Sequence, residues 1–148
     1  MSAKKQANST NNENQLTGIS GEFFVAAELA KRNFQVAISL GNAKGVDLFA
    51  THPETGKTFE IEVKTLRSKP NCFTLKSERI QDNKAFIFVY LNDRYEAPDY
   101  YIVIGKELRN DLKYYYGASL GKSRETVNHG PLQMHKDRWD KLNSLNRG

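Results

Sequence analysis

Two runs, Val46-Asp-Leu-Phe-Ala-Thr51 and Thr58-Phe-Glu-Ile-Glu-Val-Lys-Thr65, flank the turn-rich segment His52-Pro-Glu-Thr-Gly-Lys57. Both runs alternate apolar and polar residues, and the Pro and Gly between them mark a loop, so the stretch reads as a β-hairpin. Opposed residues of an antiparallel pair have a constant sum of positions, and a slip of one residue exchanges the two faces. With Pro53–Gly56 as a four-residue loop, His52 opposes Lys57 and the sum is 109. Val46, Leu48, Ala50, Phe59, Ile61 and Val63 then share one face. Asp47, Phe49, Thr51, Thr58, Glu60 and Glu62 share the other. An even sum mixes apolar and charged residues on both faces, so the burial pattern selects the register that sets Asp47 opposite Glu62.

Directly opposed carboxylates stand ~4.5–5.5 Å apart at Cβ and repel, which calls for a compensating charge. A divalent cation supplies it, since Mg²⁺ takes oxygen ligands and completes its shell with water and phosphate oxygens. Lys64 lies two residues beyond Glu62 and returns to the same face. There it is placed to hold a nucleophilic water or to stabilise charge developing on a phosphoryl group, while the metal acidifies water and clamps the phosphate. The run Phe59–Lys64 taken alone also describes an ordinary half-exposed strand. Asp47 is the more informative residue, because Asp is depleted in strands.

Working outward toward the N-terminus, Ile19–Arg32 reads as a helix capped by Thr17 or Ser20. At 100° per residue, Glu22 falls inside the arc of Ile19, Val25, Ala26 and Leu29, while Glu28, Lys31 and Arg32 take the opposite side. A carboxylate on a packing face is costly unless paired or liganded, so Glu22 is a candidate for a second metal or for supporting the first; the competing reading is a favourable place in the first turn of the helix dipole. Residues 1–15, rich in Asn, Ser, Gln and Lys, read as a disordered tail, and 16–148 as a single domain. Phe34–Leu40 reads as a strand, followed by a turn over Gly41–Gly45.

Toward the C-terminus, Pro70 and Asn71 break the chain, Cys72–Leu75 reads as a short extended piece and Ser77–Asp82 as a helical turn. Ala85–Leu91 is a continuous apolar run fit for a central strand buried on both faces, and Tyr100–Ile104 is a further strand. Lys106–Tyr116 reads as a helix, Gly117–Pro131 as a loop and His135–Leu145 as a closing helix that turns Trp139 and Leu142 inward. The order describes an α/β fold with a mixed sheet flanked by helices.

At 148 residues the chain has the length of one domain, and its formal net charge is +5. Residues 16–63 carry −2 and residues 64–84 carry +4, so acids gather where the hairpin lies and bases follow at once. That distribution suits a metal site approached by a polyanion. Arg67, Lys69, Lys76 and Arg79 are the nearest candidates for phosphate contacts, and Lys122 and Arg124 form a second basic loop. The segment Gly117–Ser123 lacks the spacing of a phosphate-binding P-loop. His52, His129 and His135, widely spaced, exclude a structural zinc pattern and read as surface residues. Tyr114–Tyr116 read as packing residues. Cys72 is the one cysteine, no run has the length of a membrane span, and no apolar leader opens the chain, so a cytoplasmic location is expected.

Gly18-Ile-Ser-Gly-Glu22 on a first helix, Gly45-Val-Asp47 opening a strand and Glu62-Val-Lys64 on the next resemble the PD-(D/E)XK nucleases, in particular small single-domain members similar to archaeal Holliday-junction resolvases. The resemblance is close over about residues 17–66. It implies a restriction-endonuclease-like α-β-β-β-α-β core and a metal-dependent endonuclease acting on DNA, with RNA as the alternative substrate. It further implies Mg²⁺ or Mn²⁺ held by Asp47 and Glu62 with the Val63 carbonyl, Lys64 as catalytic lysine and Glu22 as accessory acid. A homodimer is compatible with a small enzyme that cuts two strands. Val46 stands where the motif has Pro, and Ala85 stands where a RecB-like subgroup has Tyr four residues after Gln81. A catalytically inactive nucleic-acid-binding or assembly module on the same fold is the rival reading.

Overall fold

The computed structural model describes residues 3–39 and 45–147. Among the described residues, a long helix α1 (Ala3–Lys31) precedes strands β1 (Gln35–Ile38), β2 (Leu48–Thr51) and β3 (Thr58–Leu66). A short strand β4 (Phe73–Thr74) and one 3₁₀ turn (Ser77–Arg79) lead to β5 (Ala85–Tyr90) and β6 (Asp99–Ile104). Helices α2 (Gly105–Asn110) and α3 (Leu112–Tyr116), strand β7 (Thr126–Val127), helix α4 (His129–Leu132) and a 3₁₀ segment (Trp139–Arg147) complete the chain. The main sheet runs β1-β2-β3-β5-β6, with β4 and β7 paired apart from it. β3 and β5 are parallel and every other pair in the main sheet is antiparallel.

The hairpin has the register that its burial pattern selects. Leu48 pairs with Ile61, Phe49 with Glu60, Ala50 with Phe59 and Thr51 with Thr58, each pair summing to 109. β5 is buried along its whole length, as its unbroken apolar sequence requires. Its alternate residues feed two cores. Ala85, Ile87 and Val89 pack with Val25 and Leu29 of α1 and with Trp139 and Leu142, while Phe86, Phe88 and Tyr90 pack with Leu108, Tyr115 and Tyr116. Helix α1 comes close to β3 at Gly21, where a Cβ would lie 1.8 Å from Thr65 Oγ1. Only glycine permits that approach, and it sets Glu22 beside the end of β2.

Several expectations differ from the structure. Helix α1 continues back through the polar segment read as a tail. That segment contains neither Gly nor Pro, so a helix begun on packed residues propagates through it although residues 11–16 bury nothing. The helical turn expected at Ser77–Asp82 is present as a 3₁₀ turn over Ser77–Arg79, whereas the full helix that the family resemblance implies between β3 and β5 is not. Lys106–Tyr116 is two helices, broken at Asp111, whose φ of −148° is extended. The Gly117–Pro131 loop contains β7 and the start of α4, and the closing segment is 3₁₀ rather than α. His52 and His135 are buried, paired with Asn143 and with Tyr115 and Lys141. The turn expected at Gly41–Gly45 lies, except for Gly45, outside the described residues. No helix among the described residues is long and apolar enough to cross a membrane.

Candidate metal and nucleic-acid site

The ladder between β2 and β3 ends one residue before the acid. Asp47 N donates to the Ile61 carbonyl at 3.0 Å, so the chain steps out of the regular register. Where a further main-chain rung would fall, the carboxylate takes over: Asp47 Oδ2 accepts the Val63 N–H at 2.7 Å. The Asp47 carbonyl accepts Ser39 N at 2.9 Å, which ties the same residue to the end of β1.

Glu62 points from β3 into a nearly closed environment, with its side chain 3% exposed. Its two oxygens are treated differently. Oε1 lies 3.3 Å from Lys84 Nζ and 3.4 Å from Arg79 Nη2. Oε2 has no hydrogen-bond partner among the described residues and faces Lys64 Nζ at 3.5 Å. A buried carboxylate oxygen without a donor is a place where a cation or a polar ligand would be stabilised.

Three carboxylates form a chain with Asp47 in the middle. Burial, the Asp47 charge and a hydrogen bond to Asp47 push Glu22 up to about 7. Burial also raises Asp47, and so does the Glu62 charge, against the Val63 amide and the ammonium groups of Lys64 and Lys84. Acids crowded in this way resist ionising together, and a divalent ion relieves that resistance. The donor set is hard oxygen, the class that Mg²⁺ and Mn²⁺ take. Among the described residues no group of three or more His, Cys, Asp or Glu side chains is closed into a preformed cation cage. Asp47 and Glu62, which interact with each other, are of the oxygen class that such an ion takes.

A cleft of about 720 Å³ opens beside these acids, with Glu22, Asp47, Gly18, Ile19, Phe23 and Ile38 in its wall. A separate hollow of about 530 Å³ near Phe34, His52 and Asn143 lacks such a carboxylate pair.

The structure brings Glu22, Asp47, Glu62, Val63 and Lys64 together and adds Arg79, which approaches from the 3₁₀ turn. The other basic candidates lie elsewhere. Lys69 is held by Asp99. Arg124 donates to Thr74 Oγ1 at 3.3 Å beside β4, and Lys76 acts on Glu125 in the same region. Arg67, Lys76 and Lys122 are exposed and make no side-chain hydrogen bond or ion pair among the described residues. Tyr115 and Tyr116 are core residues, and Trp139 is buried. Sequence reasoning missed Lys84, a buried cation at the site. Its only signal was a lysine abutting the apolar strand Ala85–Tyr90.

No known protein-family profile matches the chain. No curated protein matches it either. Solved structures resemble it, two nucleases among them. One is a bacterial homing endonuclease, at 16% identity over 77% of this chain and 76% of that one, with a TM-score of 0.48. The other is the Holliday junction resolvase Hjc of Archaeoglobus fulgidus, at 13% identity over 79% of this chain and 88% of that one, with a TM-score of 0.50. The likeness to the resolvase shows the fold: a five-stranded mixed sheet flanked by helices, of the restriction-endonuclease-like kind.

Proposed function

We propose, with the restriction-endonuclease-like fold as premise, that the chain is a metal-dependent endonuclease that hydrolyses phosphodiester bonds of DNA. The observation that carries this reading is the meeting of Asp47, which immediately precedes β2, with Glu62 and Lys64 of β3. Asp47, Glu62 and the Val63 carbonyl would hold Mg²⁺ or Mn²⁺. When bound, the ion would acidify a water and neutralise charge on the phosphate. Lys64, half-exposed beside Glu62, orients the attacking water and stabilises the negative charge that develops at phosphorus. Glu22, hydrogen-bonded with Asp47 and with a raised affinity for a proton, would assist by orienting the Asp47 carboxylate. Arg79, with its side chain 43% exposed, is free to turn from Glu62 to a phosphate. Arg67 and Lys122, both exposed, are proposed as further phosphate contacts away from the acids.

DNA is the proposed partner, RNA the alternative, and the cytoplasm the proposed location. Exposed Leu16, Ile19 and Phe23, spaced by three and four residues on α1, support self-association into a homodimer, which sedimentation velocity reads directly.

Labelled single-stranded, duplex, flap and four-way DNA, each with Mg²⁺ and with Mn²⁺, test the activity. Wild type is expected to cut at least one of them and Lys64→Ala to cut none. Failure of the wild type on every substrate with both ions sinks the enzymatic reading. The rival reading is an inactive nucleic-acid-binding or assembly module on the same fold. Calorimetric titration separates the two, since an inactive site of that kind gives no heat with either ion.

A further inference from the structure

Lys84 stands at the entrance to β5, and its backbone is fixed on both sides. Its N–H donates to the Gln81 carbonyl at 3.2 Å, and its carbonyl accepts Gly105 N at 2.8 Å. The side chain, 6% exposed, runs inward past the ring of Phe86, with Nζ 5.4 Å from the ring centre. The ammonium ends between two acceptors, Glu62 Oε1 at 3.3 Å and the carbonyl of Gly45. Burying an ammonium is costly unless it is paired and hydrogen-bonded, so a lysine in this place is retained for what it holds.

Neutralising Glu62 does not by itself account for Lys84, because Lys64 and Arg79 already stand within 3.5 Å and 3.4 Å of that carboxylate. Among the described residues, Lys84 is the one of the three that also donates to the main chain of the segment leading to Asp47. Gly45 lies two residues before Asp47, so one buried ammonium joins the approach to β2 with the carboxylate of β3. The space is made for it: a Cβ on Gly45, whose φ is +73°, would lie 3.1 Å from Lys84 Nζ, 3.1 Å from Glu62 Oε1 and 2.7 Å from Arg79 Nη2.

We infer that Lys84 is a positioning residue for the cleavage reaction. It anchors Glu62 by Oε1 so that Oε2 is turned toward the ion and the phosphate, and through Gly45 it sets the separation of the Asp47 and Glu62 carboxylates. The inference rests on the nuclease reading above. A lysine that orients a ligating carboxylate acts on the ion and the transition state rather than on the grip of the DNA, and this gives it a signature.

Full-length wild type, Lys84→Met and Lys84→Arg are compared in three measurements: cleavage of labelled flap and four-way DNA with Mg²⁺, Mn²⁺ titration by calorimetry, and circular-dichroism melts. Lys84→Met is expected to melt cooperatively, to keep the wild-type KM, and to lose about 10- to 100-fold in kcat with weaker Mn²⁺ binding, the usual effect of removing a partner that orients a ligand. Lys84→Arg restores most of both by keeping the charge. A folded Lys84→Met with wild-type kcat and Mn²⁺ affinity overturns the inference. So does loss of the cooperative melt in both variants, which would make Lys84 a purely structural residue. A wild type that binds Mn²⁺ but cuts neither substrate leaves the Mn²⁺ affinities of the two variants to decide. A wild type that neither cuts nor binds Mn²⁺ removes the nuclease reading itself and this inference with it, an outcome distinct from failure of Lys84 alone.

Discussion

The carboxylate of Asp47 serves Val63 as a main-chain carbonyl would, with Oδ2 accepting the Val63 N–H at 2.7 Å where the β2–β3 ladder has already ended. One oxygen of the acid is thus committed to the fold, and the same carboxylate is hydrogen-bonded with Glu22. Asp47→Ala should therefore do two things. It should abolish cleavage, and it should destabilise the protein by about 1–3 kcal/mol because a part-buried N–H loses its acceptor. Asp47→Asn retains an acceptor oxygen and should recover most of the stability while staying inactive. Urea unfolding alongside a cleavage assay checks both, and equal stability of the two variants would show that the Val63 bond carries no weight.

The contact between Gly21 and Thr65 predicts a purely steric effect. Gly21→Ala places a methyl group against the Thr65 side chain on β3 and should cost about 1–3 kcal/mol, even though alanine favours helix more than glycine does. The same displacement moves Glu22 away from Asp47. A variant that melts at or above the wild-type temperature would contradict the close packing of α1 on β3.

Buried His135 predicts a pH dependence. Its Nε2 lies 2.7 Å from the Tyr115 hydroxyl and Lys141 approaches Nδ1; burial and then the Lys141 charge push its pKa down to about 4. The folded protein keeps the ring neutral while the unfolded chain takes up a proton near 6.5, so this residue's contribution to stability is full above that pH and declines as pH falls from 6.5 to about 4. The decline amounts to roughly 3 kcal/mol. Urea midpoints of wild type and His135→Gln between pH 7 and pH 4 should converge as the pH falls, and parallel curves would refute the assignment.

Basic residues are predicted to differ in their effect on DNA affinity. Lys122, unpaired and exposed, should on replacement by Ala weaken binding and reduce the salt slope of log K by about one. Lys69, held by Asp99, should leave the slope unchanged when replaced. Fluorescence anisotropy over a salt series measures both, and identical slopes for the two variants would remove the distinction.

The hairpin was legible because its alternation leaves one self-consistent register, and the central strand because an unbroken apolar run has few other places to go. The joining of Glu22 to Asp47 was partly legible, since a helical wheel places an acid among packing residues without saying what it meets. The step out of register at Asp47 was not, because it depends on a side chain competing with a carbonyl for the Val63 amide. Lys84 was hidden for a related reason. A lysine before a strand looks solvated unless the distant Gly45 and Glu62 are known to converge on it. The burial of His52 and His135 likewise depends on Asn143, Tyr115 and Lys141, partners remote in sequence.

β3 is paired with β2 over Thr58–Ile61 and with β5 over Ile61–Leu66, so Glu62 and Lys64 are held by β5 on one edge and, on the other, by the bond from Val63 N to the Asp47 carboxylate. The loop around Lys122 and Arg124 hangs instead from the small β4–β7 pair outside the main sheet. Its firm tie to the acids among the described residues is Glu125, which accepts Gly121 N from the loop and Ser77 N from the turn that brings Arg79 to Glu62. A change in the loop therefore has a short path to the carboxylates, through one glutamate and one turn.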